Sequence, residues 1–257
     1  MTVVAVACVR SCGATTAAAG LAMMWPGEAR RVLIEADPAG GTLAAACGLS
    51  AEPGLVSLAA AARRQSDPAL VFDHAQPLPE GTPVVCAPPG GDQARSALSM
   101  LGPLIGQIEG LDAVAVIDCG RLEPKGPNTR LFQEADISVL VCRPQLGDLN
   151  ALAAFLEPLP PTSDRPLVVL AGPGPYRSAE IADTLGVEVI GQLPWDPEAA
   201  GGLMSQPPSS RRLTRSPLVR ALRSLADDLT GRIRHDGLVD SGYCPAGEVA
   251  AMVEAVR

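Results

Sequence analysis

The sequence has few of three residue types on which many functional sites depend: aromatics, lysine and histidine. Aromatic side chains make up 3% of the 257 residues, although the hydrophobic fraction is 47%. The core must therefore consist mainly of Ala, Val and Leu, and base-stacking platforms, which need exposed rings, are not indicated. Lys125 is the one lysine, so no other lysine can replace a missing catalytic one. The two histidines, His74 and His235, have no neighbours at zinc-ligand spacing.

Signals for secretion, membrane spans and disulfides are also missing. No run of 18 apolar residues occurs, and the apolar N-terminal stretch has no positive leader region and is interrupted by Arg10. The seven cysteines form no C-x-x-C pair and lie mostly in apolar stretches, as reduced thiols of a cytosolic protein do. These absences predict a soluble, cytoplasmic protein.

The charge is distributed unevenly along the chain. The net charge of −8 argues against a protein that coats nucleic acid over its whole surface. Residues 205–234 nevertheless contain seven Arg and two Asp. This basic region has two interpretations, a weak non-specific DNA contact and a solvated helix face, and the second is favoured because phosphate binding needs several charges on one surface. The candidates for DNA contact are Arg211, Arg212, Arg215, Arg220 and Arg223.

Short β-branched runs alternate with Ala- and Leu-rich helical stretches from end to end. Continuous apolar strands separated by helices are typical of a parallel sheet that is covered on both faces. We therefore predict an α/β fold with a mostly parallel, doubly wound sheet. The main predicted strands are Val3–Val9, Val32–Ala36, Val84–Ala87, Ala113–Ile117, Ser138–Cys142, Leu167–Leu170 and Val187–Ile190.

The predicted domain covers residues 1–234, and residues 235–257 form a tail. Within the tail, Val249–Val256 has apolar residues at helical spacing, which predicts a short amphipathic helix. Glu248 and Glu254 make this helix a poor match for anionic lipid, so we expect it to dock on a protein surface.

The first predicted strand runs into the sequence Val9-Arg-Ser-Cys-Gly-Ala-Thr-Thr16. A helix N-terminus reached through a glycine-containing turn presents free N–H groups to an anion and suits a phosphate. A complete phosphate loop also has a lysine for the β- and γ-phosphates and a hydroxyl for Mg²⁺. Thr15 supplies the hydroxyl, but Ala14 occupies the lysine position. The cofactor-binding candidates in this loop are Arg10, Ser11, Cys12, Gly13, Ala14, Thr15 and Thr16.

Two acidic residues, Asp37 and Asp118, fall at the carboxyl ends of predicted strands. We expect both strands to lie beside the first, which would place the two carboxylates near the phosphate loop. Carboxylates in that position hold Mg²⁺ through water or orient an attacking water. Each Asp alone is explained more simply as a cap of the following segment. Together with the loop, however, the pair favours a nucleotide site.

In these motifs the sequence resembles the ParA/MinD family of deviant Walker A ATPases, over residues 2–232. The family's phosphate loop reads KGGVGKTT, and its next motif, D-x-D-P-Q-G, is similar to residues 35–40. Its I-D-x-P-P motif is similar to Ile117–Gly120, and its x-P-x-D base-binding loop to Leu193–Asp196. The resemblance implies a P-loop fold that binds ATP and Mg²⁺. It assigns Thr15 and Asp118 to the metal, Asp37 to catalysis, and Pro194 and Asp196 to the base.

The departures from the family pattern predict slow catalysis. Ala14 stands where the family has its catalytic lysine, and Val9 stands where it has the signature lysine that reaches the partner subunit's nucleotide. Two functions therefore stay open: a ParA/MinD-like positioning protein, acting as a homodimer or with a partner protein, and a non-enzymatic pseudo-ATPase scaffold. A nicotinamide-dependent dehydrogenase is set aside because no G-x-G-x-x-G follows the first strand.

Overall fold

A computed structural model describes residues 2–65, 67–105, 113–123, 125–159, 165–205 and 211–240. Within these ranges the strands are β1 (Thr2–Cys8), β2 (Arg30–Glu35), β3 (Gln76–Pro77), β4 (Pro83–Val85), β5 (Ala113–Arg121), β6 (Ile137–Cys142), β7 (Leu167–Ala171) and β8 (Val189–Leu193). The helices are α1 (Ala14–Met24), α2 (Leu43–Cys47), α3 (Leu55–Ala62), α4 (Leu70–Asp73), α5 (Gly91–Ile105), α6 (Pro127–Gln133), α7 (Leu146–Leu156), α8 (Ser178–Leu185), α9 (Pro197–Ser205), α10 (Arg211–Thr214) and α11 (Pro217–Asp240).

The described strands form one sheet in the order β3-β4-β2-β5-β1-β6-β7-β8. β3 is antiparallel to β4, and the other neighbouring pairs are parallel. This arrangement confirms the predicted α/β fold class. The expectation that the strands of both acidic residues lie beside the first was half wrong. β5 pairs with β1, but β2 pairs with the far side of β5, because β5 inserts between the two strands that come first in the chain.

Each face of the sheet carries its own hydrophobic core, since side chains alternate along every strand. Along β1, Val3 and Ala5 point into one core, whereas Val4 and Val6 point into the other. Helices α3 to α8 supply the first core, and α1, α2, α9, α10 and α11 supply the second. The Ala-rich helix α1 brings its backbone close to α11, where Leu222 fills the space beside Gly20. The small residues of α1 therefore allow a tightly packed layer behind the carboxyl end of β1.

Helix α11 continues to Asp240, so the domain boundary predicted at residue 234 falls inside a helix. The predicted amphipathic helix Val249–Val256 lies outside the described residues. Among the described helices, none is both long and apolar enough to cross a membrane.

Candidate functional site

The phosphate-loop sequence connects the end of β1 to the start of α1, at the centre of the sheet. Gly13 precedes α1 with φ of +99°, a left-handed conformation that favours glycine. A Cβ added at Gly13 would meet no atom within 4 Å, so the space beside the loop is open. The first turn of the 11-residue helix α1 has no acidic residue. Its positive N-terminal dipole therefore faces this space without a neutralising carboxylate from the helix itself.

A cavity of about 400 Å³ opens beside the loop, within the size range of ligand pockets. The loop contributes Ser11, Gly13 and Thr16, and the segment after β8 contributes Pro194 and Asp196. The structure thus brings together two parts of the predicted site that are about 180 residues apart in the chain. The remaining lining residues include Cys12, Ala17, Arg143, Gly172, Leu193, Trp195 and Leu218.

Not all of the predicted loop residues face this cavity. Arg10 is exposed and lines a narrow cleft on the α7 side of the loop, together with Asp148. Ala14 is 3% exposed and packs into the core beneath α1. Thr15 is partly buried and lies beside Asp118 rather than in the cavity lining.

Three carboxylates cluster next to the loop: Glu35, Asp37 and Asp118. Asp118 pairs with Val6 inside β5, three residues before the strand ends, and its Oδ1 accepts the Gly120 N–H at 3.0 Å. Gly120 has φ of +58°, and its missing side chain leaves room for the Asp37 carboxylate, which packs directly against it. The two acidic residues therefore meet at the carboxyl end of β5, although β2 is not next to β1.

Asp118 is fully buried, and only one of its two carboxylate oxygens accepts a hydrogen bond from a described residue. Its Oδ2 has no hydrogen-bond partner among the described residues. Burial, with the neighbouring charges of Glu35 and Asp37, raises the pKa of Asp118 to about 7, although the Thr15 hydroxyl and the Gly120 N–H act in the opposite direction. Burial also raises the pKa of Glu35 and of Asp37. A cation bound nearby would lower these pKa values, because it favours the charged form of each carboxylate.

The donor set fits a nucleotide-bound Mg²⁺ better than a metal held by protein alone. No group of three or more His, Cys, Asp or Glu side chains in the described ranges is arranged to hold a metal ion. Mg²⁺ in nucleotide sites takes one or two protein ligands and fills its shell with waters and phosphate oxygens. The Thr15 hydroxyl and the unpartnered Asp118 Oδ2 match that smaller requirement.

Comparison with solved structures identifies the fold. A ParA family ATPase from Chlorobium tepidum matches with a TM-score of 0.73, at 16% identity over 89% of this chain and 98% of that one. The chain has a ParA/MinD-like P-loop fold. The cell division ATPase MinD of Pyrococcus furiosus matches with a TM-score of 0.69, at 17% identity over 90% of this chain and 98% of that one.

A further match is the septum site-determining protein MinD of Pyrococcus horikoshii, solved in complex with Mg-ADP. Its TM-score is 0.65, at 14% identity over 89% of this chain and 95% of that one. No protein-family profile and no curated protein matches the chain. At these identities the likeness establishes the ParA/MinD-like fold alone.

The two base-loop candidates, Pro194 and Asp196, differ in their present contacts. The Asp196 carboxylate accepts the Ala199 N–H at 3.0 Å and the Ser216 hydroxyl at 2.8 Å, and these two donors lower its pKa. Asp196 therefore starts helix α9 and ties it to the beginning of α11. Pro194 lies exposed on the cavity wall. Contact of either residue with a base stays a prediction.

Three residues near the site were not singled out by the sequence analysis. Glu35 accepts the N–H groups of Thr42, Leu43 and Ala87 and so holds together two loops beside Asp37. Arg143 donates to the carbonyl of Ser11 at 2.6 Å. No sequence signal connects Arg143 to the loop, because the contact depends on β6 lying next to β1.

Cys8 is the third, and a spacing signal does exist for it. In the pattern G-x-x-x-x-G-K-[ST], with Gly13 as its second glycine, Cys8 stands at the first. The Cys12 thiol, together with the backbone N–H groups of Cys12 and Ala14, lowers the pKa of Cys8. The Cys8 thiol itself donates to the Gly120 carbonyl at 3.5 Å, so it links the end of β1 to β5 beside Asp118.

The basic region presents a less concentrated charge than its sequence suggests. Arg215, Arg220 and Arg223 are exposed, but Arg232 forms ion pairs with Glu188 and Asp228. Asp227 is also exposed on α11. The side chains of Arg211 and Arg212 lie outside the described part of the structure.

Proposed function

We propose that the protein binds ATP with Mg²⁺ at the phosphate loop and acts as a ParA/MinD-like positioning or partitioning protein with slow or absent hydrolysis. The observation that carries the proposal is the cavity of about 400 Å³ that joins Gly13 and Thr16 of the loop to Pro194 and Asp196. On this fold the cavity lies at the carboxyl ends of β1, β6, β7 and β8. Ligands of open α/β sheets bind at that edge.

In this proposal the loop and the two acidic residues have separate tasks. Ser11, Gly13 and Thr16 line the space for the phosphates, which the N-terminal dipole of α1 favours. Thr15 and Asp118 would hold the metal, and Asp37 would orient water. Mg²⁺, when bound, neutralises phosphate charge and fixes phosphate geometry. Such a cation would also relieve the repulsion among Glu35, Asp37 and Asp118.

Slow hydrolysis follows from Ala14. A phosphate-loop lysine makes a charge-assisted contact that contributes on the order of 1.5–3 kcal/mol, and it contributes more as charge moves on the γ-phosphoryl group. Ala14 has no polar side-chain atom and is buried, so it provides neither contribution. The missing contact weakens nucleotide binding, and it reduces the stabilisation of the transition state by a larger amount.

A pseudo-ATPase scaffold is the second candidate function, and one observation favours it. The loop departs from the complete phosphate-loop pattern at two positions, because Cys8 stands in place of its first glycine and Ala14 in place of its lysine. A chain that no longer binds nucleotide can lose such residues and keep the fold to present a partner surface. Two large apolar side chains are exposed at this edge, Leu146 at 60% and Trp195 at 68%, which supports contact with a partner or a second copy under either function.

Isothermal titration calorimetry with ATP and Mg²⁺, run beside a turnover assay, separates the two functions. The nucleotide-dependent function predicts saturable binding of one ATP per chain, together with turnover slower than that of ATPases with an intact loop. No binding at millimolar ATP supports the scaffold. Fast turnover contradicts the role given to Ala14.

A further inference from the structure

The phosphate loop lacks a lysine, but the structure places another cation at the same cavity. Arg143 follows β6, the strand next to β1, and its side chain lines the cavity with Ser11, Gly13 and Thr16. Its Nη2 donates to the Ser11 carbonyl at 2.6 Å, which holds the guanidinium against the loop. The nearest alternative in the sequence, Arg10, lines the cleft on the other side of the loop instead.

Most of the hydrogen-bonding capacity of Arg143 is unused. A guanidinium has five N–H donors, and among the described residues only the Ser11 carbonyl accepts one. No carboxylate in the described ranges lies within ion-pair distance of it. Its charge is therefore not neutralised by any carboxylate in the described part of the chain, and a planar fork of donors suits phosphate oxygens.

The backbone around Arg143 is held in place. Pro144 restricts Arg143 to extended conformations, and its carbonyl packs tightly against Gly174 of the neighbouring loop. The Gln145 N–H donates to the Arg143 carbonyl at 2.8 Å, and the Gln145 side chain donates to the Pro173 carbonyl. The arginine thus projects from a braced turn, which keeps the entropic cost of using it low.

We propose that Arg143 supplies the positive charge to the nucleotide phosphates that Ala14 cannot supply, which makes it a phosphate-binding residue contributed by a neighbouring strand. This inference rests on the proposed function, because it requires that a nucleotide occupies the cavity. Such a contact would allow a loop without a lysine to bind nucleotide while hydrolysis stays slow. Because the Ser11 carbonyl holds the guanidinium, Arg143 contacts the phosphates from one fixed position. A flexible lysine, by contrast, can follow the γ-phosphoryl group.

The test is calorimetry of ATP–Mg²⁺ binding to wild type, Arg143→Gln, Arg143→Lys and the control Arg130→Gln. Arg130 is a surface arginine of α6 paired with Glu134, far along the chain from the loop. Loss of a charge-assisted contact predicts about 10- to 100-fold weaker binding for Arg143→Gln. Arg143→Lys should lose less because it keeps a charge, and Arg130→Gln should bind as wild type does.

A second experiment distinguishes a charge that Arg143 supplies to the phosphates from a purely structural role in which Arg143 holds the loop in place. If Arg143 supplies charge, Ala14→Lys raises affinity more in the Arg143→Gln background than in wild type, because the two cations serve the same phosphates. Equal gains in both backgrounds, or wild-type affinity in Arg143→Gln, overturn the inference and leave the proposed function intact. Absence of ATP binding to wild type overturns both. Thermal unfolding of each variant shows whether it is folded.

Discussion

The buried carboxylate of Asp118 is expected to lower the stability of the ligand-free protein and to favour the binding of Mg²⁺-nucleotide. Its Oδ1 accepts the Gly120 N–H, while its Oδ2 has no hydrogen-bond partner in the described part of the chain. The substitution Asp118→Asn keeps the shape and the Oδ1 contact but removes the charge. We expect it to stabilise the ligand-free protein at neutral pH and to weaken the binding of Mg²⁺-nucleotide.

The magnitude follows from the pKa of Asp118, which lies at about 7 in the folded protein against an ordinary 3.8. Because this pKa is raised, the folded state binds more protons than the unfolded chain between those two values. The contribution of Asp118 therefore lowers stability as pH rises through that window, and the full penalty is present above it. The difference between these two pKa values corresponds to roughly 4 kcal/mol of folding free energy, at about 1.36 kcal/mol per pKa unit.

The assay is urea denaturation of wild type and Asp118→Asn, each at about pH 4 and about pH 8 and without nucleotide. The two proteins should have similar free energies of unfolding at the low pH, and the variant should be more stable by up to about 4 kcal/mol at the high pH. Asp227→Asn, at an exposed position on α11, is the control and should change neither value. Equal stability of wild type and Asp118→Asn at both pH values would refute the assignment of a buried, destabilising charge. A variant as responsive to Mg²⁺-nucleotide as wild type would refute the metal role.

Three further predictions follow from the site and its surroundings. Ala14→Lys should raise ATP–Mg²⁺ affinity about 10-fold or more by calorimetry, because it restores a charge-assisted phosphate contact; unchanged affinity would mean that the phosphates do not reach α1. Replacing Arg215, Arg220 and Arg223 together with Gln should abolish a mobility shift of duplex DNA seen at low salt, and wild-type binding itself should disappear near physiological salt; no shift of wild type at low salt removes the DNA hypothesis. Light scattering should show an oligomeric state that does not depend on ATP–Mg²⁺, since no cross-subunit lysine gives the dimer a differential affinity for nucleotide; a monomer-to-dimer shift would show that another group replaces it.

The fold class could be predicted from sequence because it depends on local patterns. Buried apolar runs such as Val3–Val9 and Ser138–Cys142 correspond to β1 and β6 within about one residue at each end. The short strand β3 was not predicted, because its two residues are too few to establish a period.

The part of the site that could not be predicted from the sequence depends on the order of the strands across the sheet. Local sequence marked Gly13, Asp37 and Asp118, each at the end of an apolar run, and the structure brings them to one edge of the sheet. The contacts of Arg143 and Glu35 depend on which strands are neighbours, and that order is decided by crossover packing over more than a hundred residues. The burial of Asp118 was likewise not visible from its position in the sequence, because β5 continues three residues beyond it.

Trp195 allows the most direct test of the central claim, that nucleotide binds in the cavity beside the phosphate loop. Of the two tryptophans, Trp25 is buried at 5% exposure, whereas Trp195 is 68% exposed and lines the cavity. Titration with ATP–Mg²⁺ should change the Trp195 fluorescence saturably, with the same midpoint as calorimetry, and Trp195→Phe should abolish the change while the remaining Trp25 emission stays constant. Calorimetric binding without any change in Trp195 emission would place the nucleotide elsewhere and contradict the account.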